Sequence, residues 1–216
     1  MNTKKHTAPK ADLDLSELLP SKTGRKPAFT ERNQGRVLDF YILGEIEHPE
    51  EYAEWYDTIR NCGSNDIVRI HFNSFGGDLF TAIQFMRVLR ECQALVIGSV
   101  EGACMSAATL IFLACDSYEV SAHTSFMIHN YSGGAFGKGG EMMDQLTFES
   151  KWSETLFKDA YTDFLSAQEI KDILKGQDMW LSADQVIERL NARQELRKAA
   201  EEAAKAEKPA ETDASS

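Results

Sequence analysis

An α/β fold, with a parallel or mixed sheet and helical crossovers, is what this sequence predicts. Three observations lead there. Short strand-like apolar runs alternate with segments whose apolar residues recur at helical spacing. Two of those runs end in loop chemistry, at Gly76-Gly77 and just before Ser106, and in such sheets sites form at the carboxyl ends of strands. A length of 216 residues, 43% of them hydrophobic, suits one domain with a full core.

The elements follow in order. Residues 1–35 are polar, rich in Lys, Thr, Ser and Pro, and read as a flexible N-terminal tail. Residues 37–44 read as a first strand ending at Gly44. Pro49 opens a helix, which suits proline in a first turn, and Tyr52, Trp55, Tyr56 and Ile59 continue it at helical spacing. Ile67 to Phe72 is a second strand. A helix from Asp78 to about Cys92 follows, with Leu79, Ala82, Ile83, Met86 and Leu89 on one face. Leu95 to Val100 is a third strand, and Ser106 starts the next helix. Tyr118–Ser121 and Ser125–His129 are short strands, and the glycine-rich stretch up to Glu141 is a loop or irregular arm. A long helix runs from Glu141 to about Leu165. Capping boxes at Ser166 and Ser182 open two more helices, with a short strand over 176–181 between them. From Asn191 onward the Ala/Glu/Lys-rich chain reads as a fraying helix and charged C-terminal tail, which leaves 36–190 as the folded domain.

A net charge of −11 argues against nucleic acid and against a polybasic membrane surface. No apolar run is long enough for a membrane span, and residues 1–35 contain no secretory h-region, so a cytoplasmic location is expected. The four cysteines, Cys62, Cys92, Cys104 and Cys115, form no C-x-x-C pair and sit in apolar segments; free buried thiols are expected, and no metal or cofactor.

Ser106 sits in Gly102-Ala103-Cys104-Met105-Ser106-Ala107-Ala108, between an apolar strand and the apolar run Thr109 to Ala114. At a helix start, free N–H groups and the dipole favour an oxyanion. The bland alternative is an ordinary N-cap serine. Cys104 is a competing nucleophile, expected to point into the core. Of the five histidines, His129 is the best-placed base, at the end of an apolar strand; a strand-end histidine bonded to nearby backbone is its alternative. An orienting carboxylate is sought at Asp116 or Asp178. Asp178 lies beside Met179, Trp180 and Leu181, where an unpaired carboxylate is costly, so a partner such as imidazole is expected. Asp116 looks more like a turn former. Gly76-Gly77 allows close backbone approach, or is simply a tight turn.

Four segments together resemble one family: Asn73-Ser74-Phe75-Gly76-Gly77, the run around Ser106, Phe126-Met127-Ile128-His129-Asn130, and Asp178-Met179-Trp180-Leu181-Ser182-Ala183. They are similar, in order and interval, to motifs of the Clp protease proteolytic subunit (ClpP) family: N-S-P-G-G, G-x-A-A-S-M, M-I-H-Q-P and an aspartate shortly before F-L-S-A. The resemblance implies a ClpP/crotonase-like ββα superhelix. It implies a serine endopeptidase with Ser106 as nucleophile, His129 as base, Asp178 as orienter, and the Gly77 and Ala107 N–H groups as oxyanion hole. It further implies a homo-oligomer, seven-fold rings enclosing a chamber for peptide or protein substrates, and an ATP-driven AAA+ unfoldase partner.

Some positions depart from the family. Phe75 replaces a proline, Cys104-Met105 replace Ala-Ala, and Ala107 replaces a methionine. Gln177 stands where an arginine contributes to ring-to-ring contact, and His71 lies in the strand that carries an ATPase-docking aromatic. Those two put the double ring and the unfoldase in question, and would suit a divergent, phage-type member that trims capsid proteins. A crotonase-type acyl-CoA enzyme and a non-catalytic ring or scaffold subunit are the competing readings.

Overall fold

The computed structural model describes residues 29–32, 35–134 and 136–206. Its strands, β1 (Phe29–Arg32), β2 (Val37–Ile46), β3 (Ile67–Gly77), β4 (Leu95–Met105), β5 (Ser117–Val120), β6 (Ser125–Ile128) and β7 (Met179–Ser182), form one sheet. The order is β1-β2-β3-β4-β6-β7, with β5 alongside the first half of β4. The central pairings are parallel and the two outermost, β1 on β2 and β7 on β6, are antiparallel. This is the mixed sheet the alternating pattern predicts. Most of the expected tail 1–35 lies outside the described residues, but Phe29–Arg32 within it pair with β2 as an edge strand.

The crossovers are helical. A short 3-10 turn at Pro49–Tyr52 leads into α1 (Ala53–Arg60), and Asp78 opens α2 (Leu79–Glu91) by accepting the Thr81 N–H at 2.7 Å. α3 (Ala107–Leu113) follows β4 directly, and all seven of its residues are buried. α4 (Gly139–Tyr161), α5 (Ala167–Leu174) and α6 (Ala183–Ala206) complete the chain. The expected capping box at Ser166 is present, with Glu169 returning to the Ser166 N–H at 2.8 Å.

One face of the sheet supplies the core. Phe40 of β2 packs on Trp55 of α1 with ring centroids 4.9 Å apart, and Phe72 of β3 packs on Phe112 of α3 at 5.7 Å. Each such buried aromatic removes enough apolar surface to contribute about 2–3 kcal/mol. The opposite face is mixed, with Leu43 and Leu95 exposed on it beside a polar cluster. His71 lies stacked on Tyr41 at 4.5 Å, its Nδ1 is 2.6 Å from Glu101, and its Nε2 is 3.2 Å from the buried Asp39.

β3 and β4 both run further than their apolar runs suggested, to Gly77 and Met105. Where the register between them slips, Asn73 Oδ1 accepts the Ala103 N–H at 3.0 Å and stands in for a ladder bond. α6 passes across residue 190, the expected end of the domain. Arg193 is only 4% exposed; its Nη1 donates to Leu113 O at 2.9 Å and to Tyr118 Oη at 2.7 Å, and its Nε faces Asp163 at 2.8 Å.

Candidate active site

β4 delivers a buried strand to Met105, and α3 begins a buried helix at Ala107, so Ser106 alone must turn the chain. It does so at φ 52°, ψ −128°, in the left-handed half of backbone space where a residue with a Cβ is strained. This is the geometry of a nucleophile elbow, which lifts a serine hydroxyl clear of the sheet. Ser106 occupies the N-cap position of α3, yet its side chain makes no capping bond. The ordinary N-cap alternative therefore does not account for the hydroxyl.

The Ser106 hydroxyl instead faces His129, with Nε2 2.6 Å from Oγ. The sheet brings these residues together. Met105 pairs with Met127 in the parallel β4–β6 ladder, and the Ser106 N–H donates to Met127 O at 2.8 Å. His129 is two residues beyond that anchor. A 2.6 Å contact is within reach for proton transfer from hydroxyl to imidazole.

Asp178 is placed differently. It lies just before β7 and is exposed, so the buried-carboxylate argument from its apolar neighbours does not hold: Trp180 also faces solvent. Among the described residues, no hydrogen bond or ion pair joins Asp178 to His129. The ladder does bring their backbones near. β6 and β7 pair Ile128 with Met179, and one further step of that antiparallel register sets His129 opposite Asp178. Asp116, the other candidate, accepts the Val96 N–H at 2.9 Å and so ties the chain after α3 to the start of β4, 20 residues away.

The Gly76-Gly77 loop packs directly on the elbow. A Cβ at Gly76, whose φ is +98°, would lie 2.6 Å from Ser106 Cβ, 2.9 Å from Met105 O and 3.1 Å from Ala107 N. Only glycine fits there, so the tight-turn alternative understates the pair. Ser74 Oγ, fully buried, donates to Gly44 O at 2.6 Å and accepts the Gly76 N–H at 3.1 Å. It ties the loop to β2, a role that sequence reasoning missed although the serine was in plain view.

A cleft of about 830 Å³ opens over these groups, lined by Gly77, Ser106, Ala107 and His129 together with apolar side chains such as Phe80 and Trp152. Phe80 and Trp152 stack at 5.8 Å across α2 and α4. Cys104 points the other way: it is fully buried, and burial pushes its thiol well above the ordinary range, so it is a packing residue. Among the described residues, no cluster of His, Cys, Asp and Glu could hold a metal ion, and no helix is long and apolar enough to cross a membrane.

The Clp protease family profile matches residues 59–189, more than half of the chain. Comparison with curated proteins gives no match. Among solved structures, a ClpP1 variant from Listeria monocytogenes is similar at 21% identity and a TM-score of 0.55, over 70% of this chain and 86% of that one. That likeness is one of fold, and it identifies the architecture as the ClpP/crotonase-like one.

Proposed function

The chain belongs to the Clp protease family, and from that premise we propose that it is a serine endopeptidase working through Ser106, His129 and Asp178. The observation that carries the reading is the 2.6 Å contact between His129 Nε2 and a strained, uncapped Ser106 hydroxyl at the floor of an apolar cleft.

Ser106 Oγ attacks the scissile carbonyl carbon as His129 Nε2 accepts its proton. The carbonyl oxygen becomes an oxyanion held by the Gly77 and Ala107 N–H groups. Ala107 suits this task as the first residue of α3, where backbone donors lack intrahelical partners. The tetrahedral intermediate collapses as the imidazolium returns the proton to the leaving amine, and water then hydrolyses the acyl-enzyme by the same route. Asp178 orients the imidazole once its carboxylate turns toward Nδ1; the strand register opposite His129 supports that assignment.

The active form in this reading is a homo-oligomeric ring of cyclic symmetry, seven-fold by family resemblance. Support comes from α4, which exposes Met143, Leu146 and Phe148 on a helix reached through a glycine-rich arm. Short peptides are cut without ATP, and His71, engaged by Asp39 and Glu101, leaves little for a standard unfoldase to dock on.

A subunit that keeps the fold without turnover is the second reading, favoured by the exposed Asp178. Labelling with a fluorophosphonate, followed by peptide mapping, decides between them. Capture at Ser106 together with peptide hydrolysis supports the endopeptidase. No capture in a correctly assembled ring removes it.

A further inference from the structure

A strained residue keeps its conformation only where its surroundings over-determine it. At Ser106 the N–H is anchored on Met127 O, and the carbonyl accepts two hydrogen bonds, from the Thr109 N–H at 2.9 Å and from Thr109 Oγ1 at 2.7 Å. A threonine hydroxyl has one proton to give. With that proton on Ser106 O, the 2.7 Å contact between Thr109 Oγ1 and Tyr161 Oη must be donated by the tyrosine. Thr109 is fully buried and Tyr161 is 2% exposed. Burial also pushes the Tyr161 phenol upward, so it stays a donor throughout the working pH range.

The peptide unit is planar and trans, so the Ser106 C=O and the Ala107 N–H point in opposite directions. Whatever fixes one aims the other. We propose that the chain Tyr161 Oη–H to Thr109 Oγ1–H to Ser106 O positions the Ala107 N–H as an oxyanion donor. Thr109 and Tyr161 are thus positioning residues of the peptidase site, joining the last turn of α4 to the first turn of α3. The inference rests on the endopeptidase reading above and assigns the pair no contact with substrate.

The test compares Thr109→Val, Thr109→Ser, Tyr161→Phe and the double Thr109→Val/Tyr161→Phe in the full-length assembled protein. The double variant leaves no lone hydroxyl in the core and keeps the test valid if Thr109→Val alone is unstable. Readouts are kcat and KM on a peptide ester, affinity for a peptide aldehyde that forms a tetrahedral adduct, and the thermal midpoint. Losing an oxyanion donor outright costs about 10²–10³-fold in kcat, so loosening one should cost about 10–100-fold in Thr109→Val and in the double variant. Aldehyde affinity should fall in parallel, while KM stays within about twofold. Thr109→Ser should restore kcat, because it restores the hydroxyl.

Unchanged kcat in both the valine and double variants overturns the proposal. So does a serine variant as slow as valine, since methyl packing would then be the cause. If the unaltered protein neither hydrolyses the ester nor captures a fluorophosphonate, the endopeptidase reading itself falls, and the positioning role with it.

Discussion

Replacing Gly76 by alanine should slow the site about a hundredfold while leaving the protein folded. The new Cβ would sit 2.6 Å from Ser106 Cβ. Carbon atoms in contact settle near 3.5 Å or more, so the loop and the elbow must part by about 1 Å. The neighbouring Met105 O and Ala107 N, at 2.9 and 3.1 Å, close the other ways out. A misplacement of that size costs on the order of 10²-fold in rate. Alanine at φ +98° also carries backbone strain of about 1–3 kcal/mol, which would lower the thermal midpoint whatever happens at the site. Gly44 separates the two effects. Its φ is +77°, and nothing lies within 4 Å of where its Cβ would be. Gly44→Ala should therefore carry the backbone strain without the clash, losing some stability and keeping its rate. The assay is peptide-ester turnover and fluorophosphonate labelling rate for both variants, each with its melting curve. Wild-type turnover in Gly76→Ala would refute the argument, and so would equal rate losses in the two variants.

Ser106→Ala and His129→Ala should each lower turnover by about 10⁶-fold and together by little more, while Asp178→Asn should cost about 10⁴-fold, all read by single-turnover hydrolysis. Asp178→Asn should barely move the thermal midpoint, because that side chain is exposed and unpaired among the described residues. Arg189, hydrogen-bonded to Glu169, holds its carboxyl down at about 2, below the ordinary 4.5. A depressed carboxylate stabilises above its unfolded value and loses that contribution as pH falls from 4.5 toward 2. With both partners 26% exposed, Glu169→Gln should cost about 1–2 kcal/mol near neutral pH. The gap between its melting curve and the wild type's should narrow as the medium is acidified. Native alkylation at about pH 8 should modify Cys92 ahead of Cys104 and Cys115, as read by intact and peptide mass spectrometry, because burial raises all three thiols but encloses only the latter two completely.

Much of the fold could be read from spacing because its cause is local. The Ser166 capping box and the first residues of β2, β3 and β4 appear where turn residues and apolar runs place them. Ala82, Met86 and Leu89 of the expected α2 face are buried, although Phe85 and Val88 share that core and Leu79 and Ile83 stay half-buried. Ser106 stood out for the same reason, as one hydroxyl between two apolar runs. What escaped depends on partners far along the chain. Thr109 meets Tyr161 across 52 residues, and no pattern near either announces it. Arg193 sits in an Ala/Glu/Lys run that looks like solvent, and its burial is explained by distant partners, the Leu113 carbonyl 80 residues away, the Tyr118 hydroxyl and Asp163. Asp178 misled in the opposite sense. Its neighbours are apolar, but the strand begins one residue later and Trp180 is itself exposed. The edge strand Phe29–Arg32 lies in a polar stretch whose pairing is supplied by β2 rather than by its own composition.

The helix that follows Ser106 is only seven residues long. A segment that short has no helical persistence of its own in water. α3 works as a strut clamped at both ends: the tyrosine of α4 bears on its first turn, and the guanidinium of α6 bears on its last carbonyl, where a cation also suits the helix dipole. Slack at either clamp is transmitted along the strut to the elbow. Arg193 and the part of α6 that carries it, beyond the residue 190 at which composition ends the domain, therefore belong to the mounting of Ser106.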